Sequence, residues 1–249
     1  MSDPAVDPAK DAAARAAVAL VQSGMKLGLG TGSTAKIFVD RLAERVHAEG
    51  MDLICASTSK ATAEQARGLG LVVEDLNDIG WLDLTIDGAD EVDPDLNLIK
   101  GGGAAHLREK IVATASERMV VVADQGKVVD RLGAFKLPVE VIGFGWKTTH
   151  RQIERVLERL DYQDCPVVLR EKNGQPVMTD EGNLILDLSL ECIPDPAALA
   201  RGLNAVPGRL LQRVFAGAMA TCLIDVAGTQ WKVVARDRDI RSEEHTSEL

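Results

Sequence analysis

Four stretches of this chain combine residue types that can do chemistry on a small anionic substrate. The first is Gly30-Thr31-Gly32-Ser33-Thr34, a glycine- and hydroxyl-rich run placed after an apolar strand pattern and before a helical one. Orphan amide N–H groups and the positive end of a helix dipole at such a junction suit a phosphate, and the hydroxyls of Ser33 and Thr34 add donors. A Walker A loop would end in Gly-Lys-Ser/Thr, which is missing here. Gly30, Gly32 and Ala35 formally match a dinucleotide fingerprint. The next strand, however, ends in Ser57-Thr58-Ser59 rather than in the acid that would take ribose hydroxyls, so a nicotinamide dinucleotide is not expected.

The second stretch is Asp87-Gly88-Ala89-Asp90, two carboxylates three apart where a strand pattern ends. They can exchange protons or hold hydroxyls. With Glu91 and Asp93 following, a divalent metal is the competing use of the same groups. The third is Lys100-Gly101-Gly102-Gly103, a cation beside backbone that carries no Cβ. The fourth is Glu109. Its helical neighbours Ala105, Val112 and Ala113 form a small apolar stripe, which turns the carboxylate toward the body of the protein. Desolvation there would raise its pKa into the range of a general base. His47, His150 and His245 stand apart from these loops, and His106 reads as a capping or surface residue. No Ser-His-Asp or Cys-His set suggests itself.

Strand and helix patterns alternate in a way that positions these loops. Expected elements are a helix over 10–23, a strand over Lys26–Leu29, a helix over about 34–48, a strand over Asp52–Ala56 and a helix over Ala61–Gly68. Short strands follow at Leu71–Val73 and Leu82–Ile86, then a helix running to about Arg118 and an apolar strand over Met119–Ala123. That order predicts a doubly wound parallel α/β sheet. After Pro138 the pattern changes to Val139–Ile142 (strand), Thr149–Leu160 (helix), Val167–Arg170 and Asn183–Leu188 (strands) and Pro196–Asn204 (helix). Turn residues at Asn173-Gly174 and Glu181-Gly182-Asn183 fit antiparallel pairing, so a smaller α+β insert is expected. The chain then returns through Leu210–Phe215 to a strand at Thr221–Val226.

A length of 249 residues and a net charge of −10 without a basic stripe make nucleic acid an unexpected partner. No apolar run reaches 18 residues, and the N-terminus has no secretory architecture, so a cytoplasmic protein with no membrane partner is expected. Cys55, Cys165, Cys192 and Cys222 lack CxxC spacing and are expected to be buried, reduced thiols, with no metal site. The closing RSEEHTSEL has no apolar periodicity and resembles a translated sequencing adapter. Residues 241–249 are therefore expected to be a non-native tail.

Taken together, Gly28–Ala35, Asp87–Asp93, Lys100–Ala105 with Arg108-Glu109-Lys110, and Ala123-Asp124 with Lys127 resemble the ribose-5-phosphate isomerase A family. Leu137-Pro-Val-Glu-Val141 and Asp180–Asp187 also look like that family, and the resemblance runs from about Lys10 to Val234. It implies a Rossmann-like catalytic domain formed by 1–136 and 210–240, with a ferredoxin-like α+β domain over 137–209, assembled as homodimers or homotetramers. It implies no cofactor and a sugar phosphate as the small-molecule partner. Glu109 becomes the proton shuttle, Lys100 the cation facing the enediolate oxygens, Asp87 a proton carrier among the sugar oxygens, and Asp90 an orienting group. Substrate contacts fall on Thr31, Gly32, Ser33, Thr34, Asp87, Gly88, Ala89, Asp90, Lys100, Gly101, Gly102, Gly103 and Lys127, with Lys10 helping to hold the phosphate. The departures are late, at Arg213-Val-Phe215 and in the tail.

Two rivals remain at this level. One is another sugar-phosphate enzyme, an amino-sugar-phosphate isomerase/deaminase or a sugar-lactone hydrolase, although their histidine base has no evident counterpart. The other is a non-catalytic sugar-phosphate sensor, which would need a DNA-binding module in the roughly 25 residues before the first strand.

Overall fold

The computed structural model describes residues 7–208 together with the backbone of two later strands, 220–226 and 230–234. The expected return segment Leu210–Phe215 and the tail 241–249 lie outside the described residues. The chain begins with α1 (Pro8–Val18), β1 (Lys26–Leu29), α2 (Ser33–Glu49), β2 (Ile54–Ser57), α3 (Lys60–Gly68) and α4 (Leu76–Ile79). Then come β3 (Leu82–Gly88), a two-stranded ribbon of β4 (Glu91–Val92) and β5 (Leu98–Ile99), α5 (His106–Thr114) and β6 (Ser116–Ala123). A second unit holds β7 (Leu137–Val141), α6 (Trp146–Arg159), β8 (Val167–Leu169), the hairpin β9 (Glu171–Lys172) and β10 (Gln175–Pro176), β11 (Leu184–Leu188) and α7 (Pro196–Asn204). Strands β12 (Ala220–Val226) and β13 (Gln230–Val234) follow.

The main sheet has the order β13-β12-β6-β3-β1-β2, parallel throughout except for the antiparallel β12–β13 pair. Helices cover both faces, because a parallel sheet buries both. On one side Ala13, Ala14 and Ala17 of α1 and Phe38 and Leu42 of α2 pack on Leu27, Leu29, Leu84, Ile86, Val120 and Val122. On the other, α5 supplies Val112 against Ala56 and Ala113 against Met119 and Val121. Residues alternate between the faces along β6, as the two-residue period of a strand requires.

The second unit is an antiparallel sheet of order β7-β11-β8. Leu137, Val139, Val141, Leu184, Leu186 and Leu188 turn one face toward Ile153, Val156 and Leu157 of α6 and Leu199 and Leu203 of α7. The opposite face carries Glu140 and Asp187 and meets the first unit.

Several expected boundaries move. The helix expected over 10–23 stops at Val18, where Arg45 Nη1 takes the carbonyls of Val18 at 2.7 Å and Val21 at 2.9 Å. The helix expected to reach Arg118 ends at Thr114, and Ser116 opens a strand paired with Leu82. Leu71–Val73 contributes only a single parallel bridge, Val73 to Cys55, rather than a strand. Both α4 and the β4–β5 ribbon are too short to leave a periodic signal. Of the cysteines, Cys55 is buried, whereas Cys165 and Cys192 are half-buried. His106 is also buried, not a surface residue.

Candidate active site

Because β1, β2, β3 and β6 are parallel, the segments after them emerge at one edge of the sheet, where ligands of open α/β folds sit. Gly30 follows β1 and lies so near β3 that a Cβ on it would meet Asp87 Oδ1 at 2.1 Å and Asp87 Cα at 2.5 Å. Gly32 then takes φ +122° as the N-cap of α2 and provides no side-chain cap. The first-turn N–H groups of α2 are thus left for a ligand. Thr31 anchors the loop, its hydroxyl lying 2.7 Å from that of Thr58 and 2.8 Å from that of Ser59. Lys10 of α1 donates to Ser33 Oγ at 3.1 Å. Its helix is pinned to α2 by Asp11, which accepts from Arg15 at 2.8 Å and Arg41 at 2.6 Å.

The acidic run after β3 divides its labour. Asp87 Oδ1 accepts from Thr31 N at 3.0 Å and Gly88 N at 2.8 Å, and Oδ2 accepts from Lys100 Nζ at 2.9 Å. Asp90 accepts from Gly102 N at 2.8 Å and so ties the second loop to the third. Glu91 instead holds the amides of Gly133 and Phe135, while Asp93 closes the β4–β5 turn through Asp95 and Asn97. Four carboxylates close in sequence therefore serve four separate sets of donors. Among the described residues no group of three His, Cys, Asp or Glu side chains could hold a metal ion.

Glu109 lies in the first turns of α5 and is 4% exposed. Its Oε1 accepts from Lys100 Nζ at 3.2 Å, and the same ammonium also donates to Gly88 O at 2.6 Å. Buried Oε2 has no hydrogen-bond partner among the described residues. Burial disfavours the charged carboxylate, Lys100 opposes that effect, and Asp87 and Asp90 add like-charge repulsion. Because Lys100 is shared with Asp87, the balance pushes Glu109 up to about 8. For Lys100, burial by itself would favour the neutral amine, but Asp87 and Glu109 outweigh it and hold the ammonium charge firmly.

A cavity of about 80 Å³ gathers these pieces. It is lined by Thr31–Ala35, Gly88–Asp90, Lys100–Gly103, Glu109 and Lys127, with Asp87 buried just beneath and Lys10 joined through Ser33. A larger cleft of about 540 Å³ lies between α3, α4 and α5 and contains neither Lys100 nor Glu109. The small cavity therefore unites an anion cradle, a fixed cation and a partly protonated carboxylate. That set fits proton transfer on a phosphorylated substrate.

The profile of a family described as ribose 5-phosphate isomerase A (phosphoriboisomerase A) matches residues 54–228. The chain belongs to this family. The ribose-5-phosphate isomerase A of Dinoroseobacter shibae is 57% identical over 203 residues, covering 82% of this chain and 78% of the relative. That of Cereibacter sphaeroides is 60% identical over 203 residues with the same coverage, 82% and 78%. Among solved structures, ribose 5-phosphate isomerase A from Methanocaldococcus jannaschii superposes with a TM-score of 0.81 at 33% identity, covering 90% of this chain and 97% of the other. A D-ribose-5-phosphate isomerase in complex with phospho-erythronic acid superposes with a TM-score of 0.79 at 32% identity, covering 91% and 97%. Family membership sets aside the sensor and lactone-hydrolase alternatives.

Sequence reasoning missed how the second unit grips this isomerase site. Arg170 Nη1 donates to the carbonyls of Gly101 and Gly102, both at 3.2 Å, while Asp187 holds its guanidinium by two bonds of 2.9 and 2.5 Å. Asp180 accepts from Lys60 N at the start of α3 at 2.7 Å, and Glu140 accepts from Leu107 N at the start of α5 at 2.9 Å. A signal was present: Glu140 and Asp187 interrupt the apolar strands β7 and β11 at positions facing away from the α6–α7 core.

Proposed function

We propose that Glu109 is the base of a chain that interconverts D-ribose 5-phosphate and D-ribulose 5-phosphate. Support comes from one carboxylate, with Oε1 fixed on Lys100 and Oε2 left without a partner at the wall of the cavity. Ionised Glu109 takes the proton from carbon 2 of the open-chain aldose. The C–H electron pair becomes the second bond between carbons 1 and 2, and the carbonyl oxygen gains the negative charge of a cis-enediolate. Glu109 then returns the same proton to carbon 1 while the 2-hydroxyl proton passes to the oxygen on carbon 1, which leaves a ketone at carbon 2 and a hydroxyl at carbon 1. The reaction is redox-neutral, so no electron acceptor enters it.

Lys100 faces the enediolate oxygens as a preorganised cation. Asp87 moves protons between sugar oxygens and assists ring opening, and Asp90, with Gly88 and Ala89, orients hydroxyls. Thr31–Thr34 and the open end of α2, with Lys10 and Lys127, hold the phosphate. Binding energy far from the reacting carbons is thereby spent on placing them. The relative bound to phospho-erythronic acid fits this scheme, since the carboxylate of that ligand stands in for the enediolate oxygens at the other end of a short chain from its phosphate.

The same reading covers the architecture. Residues 1–136 and 210–240 form a Rossmann-like catalytic domain and 137–209 a ferredoxin-like insert, supported by the β-α-β-β-α order of β7, α6, β8, β11 and α7. A cytoplasmic homodimer or homotetramer is assigned from the family alone. The test is a coupled assay of ribose 5-phosphate conversion with EDTA present. Glu109→Gln should lose about 10²- to 10⁴-fold in turnover while still binding ribose 5-phosphate. Near-normal turnover in that variant would refute the assignment.

A further inference from the structure

The helix that carries Glu109 begins without a cap of its own. Ala105 occupies the N-cap position and has no side chain to accept from the first-turn amides. An acceptor comes instead from the second unit. Leu107 N donates to Glu140 Oε2 at 2.9 Å, and the Glu140 side chain sits in β7 at 1% exposure. Its Oε1 takes the Thr179 hydroxyl at 2.7 Å and the Asn183 amide at 3.0 Å. Both oxygens are thus engaged by three donors from two segments, the start of α5 and the turn over 179–183. A buried carboxylate so surrounded holds its partners to one geometry, because any movement strands a polar group away from water. A sheet face pressed on a helix would pack as well with an apolar residue at this position, so the charge calls for a reason beyond packing.

We propose that Glu140 is a positioning residue for the isomerisation, a role that rests on Glu109 being the base. By fixing Leu107 it sets the start of α5, and with it the azimuth of Glu109 two residues later. Oε1 then stays on Lys100 while Oε2 faces the substrate carbons. The insert contributes in this way to the chemical step while touching no substrate atom.

Glu140→Gln keeps the side-chain shape but removes the charge and puts an N–H₂ among the donors. It should lower kcat about 10- to 100-fold, the scale of a misplacement near 1 Å. KM for ribose 5-phosphate should stay within about threefold, because the phosphate loop is held by other bonds. Adding Glu140→Gln to Glu109→Gln should cost less than about threefold more, since there is no base left to position. Wild-type kcat in Glu140→Gln, a rise in KM that accounts for the loss, or a full additional loss in the double variant would each overturn the proposal. Should Glu140→Gln melt below the assay temperature, Thr179→Val removes one donor and leaves the carboxylate. A selective kcat loss of about threefold or more then upholds the role, and unchanged kcat overturns it. Near-normal turnover in Glu109→Gln alone is a distinct result, and it removes the base rather than its support.

Discussion

Glu109 must be ionised to accept a proton, and its surroundings resist ionisation. With a pKa of about 8, about one free enzyme in eleven has the base charged at pH 7, and about ten in eleven at pH 9. The expected outcome is a rise of about tenfold in kcat/KM across that window, levelling above it, since kcat/KM reports the free enzyme. A solvent-facing glutamate, ionised from about pH 4.3, would give a flat profile there. The second ionisation of a phosphate ester, near 6, lies below the window. Asp87→Asn probes the cause. Two oxygens bonded to one Nζ at 2.9 and 3.2 Å are at most about 6 Å apart. At an effective dielectric of about 20, like charges at that distance repel by about 2.8 kcal/mol, equivalent to about two pH units. Removing the negative charge eases ionisation of Glu109, so the acid limb should move down by about one to two units. Its amplitude should fall as well, because the proposed mechanism gives Asp87 the proton transfers among the sugar oxygens. Initial rates at subsaturating ribose 5-phosphate, with the coupling enzymes in excess at each pH, give both limbs. A flat wild-type profile, or an Asp87→Asn limb that stays put or moves up, would show the electrostatic reasoning to be wrong.

Gly30→Ala should destabilise the fold by about 3 kcal/mol, because the new methyl would meet the Asp87 backbone, which cannot rotate away. Urea denaturation checks this, and an unchanged midpoint contradicts it. Lys10→Ala should raise KM for ribose 5-phosphate about tenfold, the value of one charge-assisted contact, with kcat within about threefold. A loss confined to kcat would remove Lys10 from the phosphate site. Arg170→Met should cost about 1–3 kcal/mol by removing the donors that Asp187 and the Gly102 carbonyl hold, and should lower kcat/KM because the loop after Lys100 loosens. Intact kcat/KM at full folding would show that the loop holds itself.

The chemistry-bearing segments were legible because each sits at a local punctuation mark. A glycine run ends the first strand pattern, a carboxylate ends that of Leu82–Ile86, and Glu109 rides an alanine–valine stripe whose burial follows from helical spacing. The parallel sheet was legible for the same reason, since alternating periods of two and 3.6 leave few topologies. What was not legible depends on contacts between distant segments. Nothing near Glu91 says that it serves the amides of Gly133 and Phe135, so a metal stayed open as a use for it. Nothing near Arg45 says that it donates to the carbonyls of Val18 and Val21, where α1 gives way to the turn before β1. Glu140, Arg170 and Asp187 left only a weak trace, polar side chains at inward positions of apolar strands. Their partners, on helix and loop segments far away in sequence, appear only once the two units are docked.

The register of β12 beside β6 carries a consequence for biogenesis. Ala220 pairs with Met119, so the neighbour that completes the central strand is translated about a hundred residues after it. At about 5–20 residues per second, the ribosome needs several seconds to deliver that neighbour. Throughout that interval one row of β6 amides and carbonyls is an unsealed border, open to any extended peptide nearby. The residues translated meanwhile include all of β7 through α7, which can collapse on their own apolar core. Among the described residues this is the most sequence-distant strand pairing, so the step that seals the border carries the largest loop-closure cost.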